Sequence, residues 1–130
     1  MGLKTRDGRH FEIVAATHDR AGLVAELFES GRSTSTCWCM WFRKGAREFD
    51  AAGAERRRTD LIERLDIGPA PGLIAVAQDR PVGWLSFGPA NEMEPRLRGW
   101  SVAPQSFADE AWVIVCLYVP RTSKTVLPDE

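Results

Sequence analysis

Residues 111–120 read AWVIVCLYVP, and the placement of this stretch decides how the rest of the chain folds around it. Residues 112–119 form the longest uninterrupted apolar run, and their content of Val, Ile, Trp and Tyr favours a strand. Alternation along a regular strand would point Val113, Val115, Leu117 and Val119 one way and Trp112, Ile114, Cys116 and Tyr118 the other. Both faces are apolar, which predicts a strand in the middle of a sheet, covered on both sides. Few residues follow the stretch, so its flanking elements must come from upstream or from a partner.

Upstream, residues 11–15 (FEIVA) read as a first strand, with Thr17 as a helix cap after it. Leu23, Val24, Leu27 and Phe28 then form the apolar stripe of a helix over residues 19–30, and Gly31 is its stop signal. CWCMWF at residues 37–42 is a dense apolar plug, either an irregular strand or a loop lying under helices. Residues 46–65 read as one or two helices interrupted at Gly53, followed by GPAPG at residues 68–72, whose turn chemistry ends the helical pattern. Residues 73–77 and 82–87 make a hairpin whose connection is Gln78, Asp79, Arg80 and Pro81. Residues 88–110 have no clear period and contain Pro89, Pro95 and Pro104, which predicts a long loop beside the site or a disordered one.

Seventeen basic and eighteen acidic residues leave a net charge of −1, so composition gives no reason to expect a nucleic-acid partner. The run Glu55, Arg56, Arg57, Arg58 reads as a solvated helix face. No run approaches the ~20 apolar residues of a membrane span and the first residues lack a signal-peptide core, so a cytoplasmic location is expected. Three cysteines, Cys37, Cys39 and Cys116, are an odd number set beside bulky apolar residues, which fits reduced core thiols. Cys37 and Cys39 would share one face of a strand. A zinc site made from them with Cys116 and His10 or His18 is disfavoured by the one-residue gap and by Trp38 within it, so no metal is expected.

Three pieces carry a resemblance to a known family: the plug CWCMWF, the hairpin PGLIAVAQDRPVGWLSFGP at residues 71–89 and the strand WVIVCLYV at residues 112–119. With the order strand, helix, helix, hairpin, loop, long apolar strand, the chain resembles the N-terminal half of the GNAT superfamily of acetyl-CoA-dependent N-acetyltransferases. The plug is similar to that of a bacterial subgroup. The resemblance covers about residues 11–119 and implies a single α+β domain whose mixed, mostly antiparallel sheet carries flanking helices. It also implies acetyl-CoA as cofactor and a primary amine, on a small molecule or a protein, as acceptor.

In the family the pantetheine arm lies along the long apolar strand, which implies cofactor contacts from the main chain of Leu117, Tyr118 and Val119. A pyrophosphate-binding loop of pattern Arg/Gln-x-x-Gly-x-Gly/Ala should follow, where small residues let backbone N–H groups approach the phosphates at a helix N-terminus. Aligned so, Lys124 takes the first position, but Leu127 and Asp129 stand where small residues belong and Pro128 lacks an N–H. The tail RTSKTVLPDE therefore reads as foreign to the family, as an early stop or a frame change produces, or else as a shortened variant completed by dimerisation. In either case one edge of the long strand should stay unpaired and offer a homodimer contact at residues 112–119.

Acetyl transfer needs a base for the ammonium and an acid for the leaving thiolate. Asp109 and Glu110 are the candidate bases, with solvated residues before a strand as the plain alternative; Glu92 and Glu94 are weaker candidates. Tyr118, the single tyrosine, reads as packing with one hydrogen bond. Trp38, Trp41 and Trp84 fill the core or, for one of them, line the acceptor pocket. Two functions follow: an N-acetyltransferase, or a catalytically inactive remnant acting as a small binding or interaction module.

Overall fold

The strands β1 (Gly2–Lys4), β2 (His10–Ala15), β3 (Gly72–Ala77), β4 (Arg80–Pro89) and β5 (Trp112–Tyr118) form one sheet in the order β1-β2-β3-β4-β5, with every pair antiparallel. The computed structural model describes residues 2–4, 8–97 and 111–120, and the side chains of these except 94–97. Helices α1 (Ala21–Glu29), α2 (Thr34–Cys37) and α3 (Ala46–Ile67) fill the connection from β2 to β3, and α4 (Ala90–Leu97) follows β4. The fold is the α+β arrangement expected from the sequence, with an antiparallel sheet and flanking helices.

Sheet register explains which side chains form the core. Cα partners run Val14 to Ile74, Ile74 to Trp84 and Trp84 to Tyr118, so these four share one face. That face meets Val24, Leu27 and Phe28 of α1, the plug residues Trp38, Cys39 and Met40, and Leu61 and Leu65 of α3. Phe28 stands at the centre, stacked on Trp38 at 5.5 Å and edge-on to Trp84 at 5.1 Å. Such pairs contribute about 0.5–1.5 kcal/mol each beyond the area they bury.

Helix α1 is preceded by a 3-10 turn at His18–Arg20. Thr17 makes no side-chain capping bond to the backbone; its hydroxyl donates instead to Asp19 Oδ1 at 2.5 Å, which holds the Asp19 carboxyl below its ordinary range. The plug is a loop. After the single turn α2, Trp38 and Cys39 adopt left-handed backbone angles (φ 49° and 60°), which reverses the chain and buries Trp38, Cys39 and Met40. Cys37 and Cys39 therefore do not line one face of a strand.

Gly53 breaks α3 into two segments through a φ of 76°, the interruption expected at this position. The break leaves carbonyls of the first segment without helical partners. Arg57 supplies one at Phe49 O; its guanidinium also donates to Thr36 O of α2 at 2.9 Å and lies 3.6 Å over the Phe49 ring. Within the arginine run, then, Arg57 is buried rather than solvated, while Arg56 and Arg58 are exposed.

The hairpin turn is tighter than expected. Gln78 and Asp79 both have positive φ (53° and 62°), the two-residue turn that matches strand twist, so β4 already starts at Arg80. Within the expected loop over residues 88–110, residues 90–97 are instead the helix α4, and residues 98–110 lie outside the described residues. Met93 is fully buried and Glu92 is held by the guanidinium groups of Arg43 and Arg64. Arg43 also donates to Phe87 O at 2.9 Å, joining α4 to the end of β4. A Cβ at Gly88 would stand 3.0 Å from Arg43 and 3.1 Å from Met93, so this close approach depends on glycine.

Strand β5 is at the edge of the sheet, not in its middle, and pairs only with β4 among the described residues. Its faces also depart from simple alternation. Ser86 is opposite Cys116 but Phe87 is opposite Ile114, so Val115 is an extra residue, a β-bulge that reverses the phase of the strand. Trp112, Ile114 and Leu117 are consequently exposed, at 51%, 69% and 71%, while Cys116 and Tyr118 turn towards the helices.

Candidate functional site at the free edge of the sheet

On the face opposite the helices, Ala15 is partnered with Leu73, Leu73 with Leu85, and Leu85 with Leu117, one row across four strands. The neighbouring row runs Ile13, Ala75, Gly83. These rows line a trough of about 340 Å³ whose wall is Ile13, Leu73, Ala75, Gly83, Trp84, Leu85, Leu117 and Val119. None of these residues ionises, and the volume lies within the ~300–1,000 Å³ common for small-molecule sites. Gly83 keeps the floor low: a Cβ there would meet Ala75 at 3.4 Å and Val119 at 3.9 Å.

The trough opens beside the outer edge of β5, which has no strand partner among the described residues. In an antiparallel strand alternate residues direct N–H and C=O groups away from the neighbour, so the outer edge near residues 117–119 offers backbone donors and acceptors. An apolar wall next to unpaired main chain suits an extended ligand that carries amides on an aliphatic thread. Leu117 and Val119 lie where the resemblance implies cofactor contacts, and their side chains face the trough.

Tyr118 does not. Its hydroxyl lies 3.0 Å from Ser30 Oγ, which donates its own proton to Leu27 O at 2.6 Å, so the tyrosine is the donor. It anchors β5 to the end of α1, on the face away from the trough. Gly31 makes this contact possible, because a Cβ there would fall 2.5 Å from the Tyr118 hydroxyl.

The tryptophans separate by role. Trp38 and Trp84 are buried core residues; Trp38 Nε1 donates to Ser35 O at 2.7 Å. The Trp84 ring packs edge-on to Phe28 on the helix side. Trp41 is 43% exposed and packs edge-on to Phe49 at 5.2 Å. Trp38 and Trp84 are core residues as read, and of the three only Trp84 also borders the trough. Asp109, Glu110 and Lys124 lie outside the described residues, and so does the side chain of Glu94. Glu92 is engaged by two arginines and serves the fold.

Under β5 lies a thiol cluster. Cys39 donates its proton to the sulfur of Cys116, which lowers the Cys116 thiol to about 7 and, together with burial, pushes Cys39 well up. Cys37 is raised by burial, and its sulfur accepts from Cys39 N at 3.2 Å. Ser86 Oγ and Trp84 Nε1 are buried without a hydrogen bond of ordinary geometry; both lie beside the Cys39 sulfur, a weak acceptor. Among the described residues no group of three or more His, Cys, Asp or Glu side chains could hold a metal ion. His18, considered as a ligand, pairs with Asp66.

The trough residues were open to sequence reasoning through one signal. GLIAVA and RPVGWLSFGP are apolar at successive positions, while the helices upstream can cover only one face of the hairpin. No protein-family model matches the chain, and no curated protein or solved structure matches it significantly. Among the described residues no helix is long and apolar enough to cross a membrane.

Proposed function

We propose that the chain is an acyltransferase of the GNAT type, cytoplasmic, binding acetyl-CoA with its pantetheine arm laid along the outer edge of β5. The observation that supports this reading is the coincidence, among the described residues, of an unpaired strand edge at residues 117–119 with the apolar trough walled by Leu117 and Val119. Pantetheine carries two amides on an aliphatic chain; the amides would pair with β5 main chain as an added strand, and the methylene and dimethyl groups would lie against Leu85 and Leu117. Bound acetyl-CoA would supply the thioester carbonyl that an acceptor amine attacks.

Tyr118 is not the acid in this reading, because its hydroxyl is committed to Ser30 on the opposite face. Asp109 and Glu110 remain the proposed bases and Lys124 the proposed pyrophosphate contact. Titration calorimetry with acetyl-CoA tests the proposal. A dissociation constant of order 10 μM, about −7 kcal/mol, is expected; absence of heat at millimolar ligand overturns it.

A second reading has its own support in the exposure of Ile114 and Leu117 next to the unpaired edge: a binding module that dimerises by pairing β5 with β5 of a second copy. Light scattering at tens of micromolar separates the two readings, since a monodisperse monomer contradicts the dimer.

A further inference from the structure

Cys39 and Cys116 are distant in sequence, yet the bulge at Val115 turns Cys116 inward against the core cluster in which Cys39 is buried. Cys116 packs against the core cluster that contains Cys39, close enough for the two thiols to influence each other's ionisation, and Ser86, the cross-strand partner of Cys116, is buried beside them without a hydrogen bond of ordinary geometry. Cys116 is half-buried and open to a small reagent, whereas Cys39 is closed off by the plug and the sheet. One thiol is thus placed to attack and the other to resolve. Cys37 is in contact with Cys39 through a backbone N–H and its sulfur, not thiol to thiol.

We propose that Cys39 and Cys116 form a reversible disulfide by exchange with a low-molecular-weight disulfide such as glutathione disulfide, tying the loop after α2 to the edge strand β5. The Cys116 thiolate attacks one sulfur of glutathione disulfide, forming a mixed disulfide and releasing one glutathione thiolate, which takes up the proton that Cys116 gave to solvent. Cys39 sulfur then attacks the Cys116 sulfur, and its proton leaves with the second glutathione. Two cysteine thiols are oxidised and one glutathione disulfide is reduced to two glutathiones. Ionisation of Cys116 near neutral pH supports the first step, since the thiolate is the nucleophile. The sulfurs must close from contact to a bond of about 2.05 Å, a movement that side-chain rotation at the edge strand can supply.

The test is oxidation of the reduced, folded chain with excess glutathione disulfide at neutral pH, followed by thiol counting and tryptic mapping without reductant. Two of the three thiols should be lost, and the peptide of residues 33–43, which holds Cys37 and Cys39, should be joined to that of residues 99–121. Cys37→Ser should keep this link, whereas Cys39→Ser should stop at one glutathione on Cys116. Dithiothreitol should restore all three thiols. A Cys37–Cys39 link, a stable glutathione adduct of the wild-type chain, or three free thiols under conditions that oxidise the urea-unfolded chain overturns the proposal. The wild-type map decides it even if Cys39→Ser fails to fold.

Discussion

Replacing Gly31 by Ala reads out the phase of β5 through a single contact. Its backbone angles do not require glycine, so by itself the change should stabilise the chain by about 0.4–1 kcal/mol through the unfolded state. The added Cβ, however, falls 2.5 Å from the Tyr118 hydroxyl, 2.6 Å from Thr34 Oγ1 and 3.2 Å from Tyr118 Cζ. Overpacking of this kind costs about 1–3 kcal/mol, and moving the tyrosine also breaks its hydrogen bond to Ser30, about 1 kcal/mol. The net expectation for Gly31→Ala is a loss of about 1–3 kcal/mol.

Tyr118→Phe removes the hydroxyl and should cost about 1 kcal/mol alone. In that background the severe hydroxyl clash is gone and the Thr34 contact and the milder one to Cζ at 3.2 Å remain, so Gly31→Ala should cost about 1 kcal/mol less than in the wild type. Urea denaturation followed by far-UV circular dichroism on the four chains measures this coupling. If β5 alternated regularly without the Val115 bulge, Tyr118 would share the open face with Ile114 and would not meet Gly31. The two substitutions would then add within about 0.3–0.5 kcal/mol, and that result refutes the placement of β5 argued above.

Leu117→Glu should change stability by less than about 1 kcal/mol, because the side chain is largely exposed, yet weaken acetyl-CoA binding about tenfold, since a carboxylate cannot be buried cheaply under an aliphatic arm; calorimetry on the variant checks both halves. Alkylation of Cys116 by iodoacetamide should rise about tenfold between pH 6 and pH 8, because lowering of its thiol to about 7 puts the thiolate transition in that window, while Cys37, raised by burial, should react only at higher pH. Peptide mass spectrometry at timed quenches follows the two sites separately. Gly53→Ala should destabilise by about 1 kcal/mol or more through backbone strain at a φ of 76°, since no atom lies within 4 Å of the new Cβ; thermal unfolding measures it.

The parts of the fold governed by local periodicity were legible. The stripe of Leu23, Val24, Leu27 and Phe28 indicated α1, the hairpin was visible between apolar runs, and Gly53 marked its break in α3. Helix α4 was hidden because Pro89 and Pro95 mimic a loop and its stabilising partners, Arg43 and Arg64, come from distant segments. The run 112–119 misled for a related reason: apolar content on both faces indicates burial, but the faces are set by a bulge that depends on pairing with β4. Burial of Arg57 follows from a helix break four residues earlier that sequence shows only as a glycine, and the approach of Cys39 and Cys116 is purely tertiary. Of the candidate site, Leu117 and Val119 were named through the family resemblance, whereas Leu73, Ala75 and Leu85 required knowing which face the helices leave open.

The central claim, that an extended amide-bearing cofactor adds itself to the free edge of β5, is tested most directly by backbone-amide hydrogen exchange of the folded chain with and without acetyl-CoA. Protection gained at residues 117–119, with the hairpin and helices unchanged, is the result predicted. Exchange at these residues that is unaltered by saturating ligand, or protection that falls elsewhere, would contradict it.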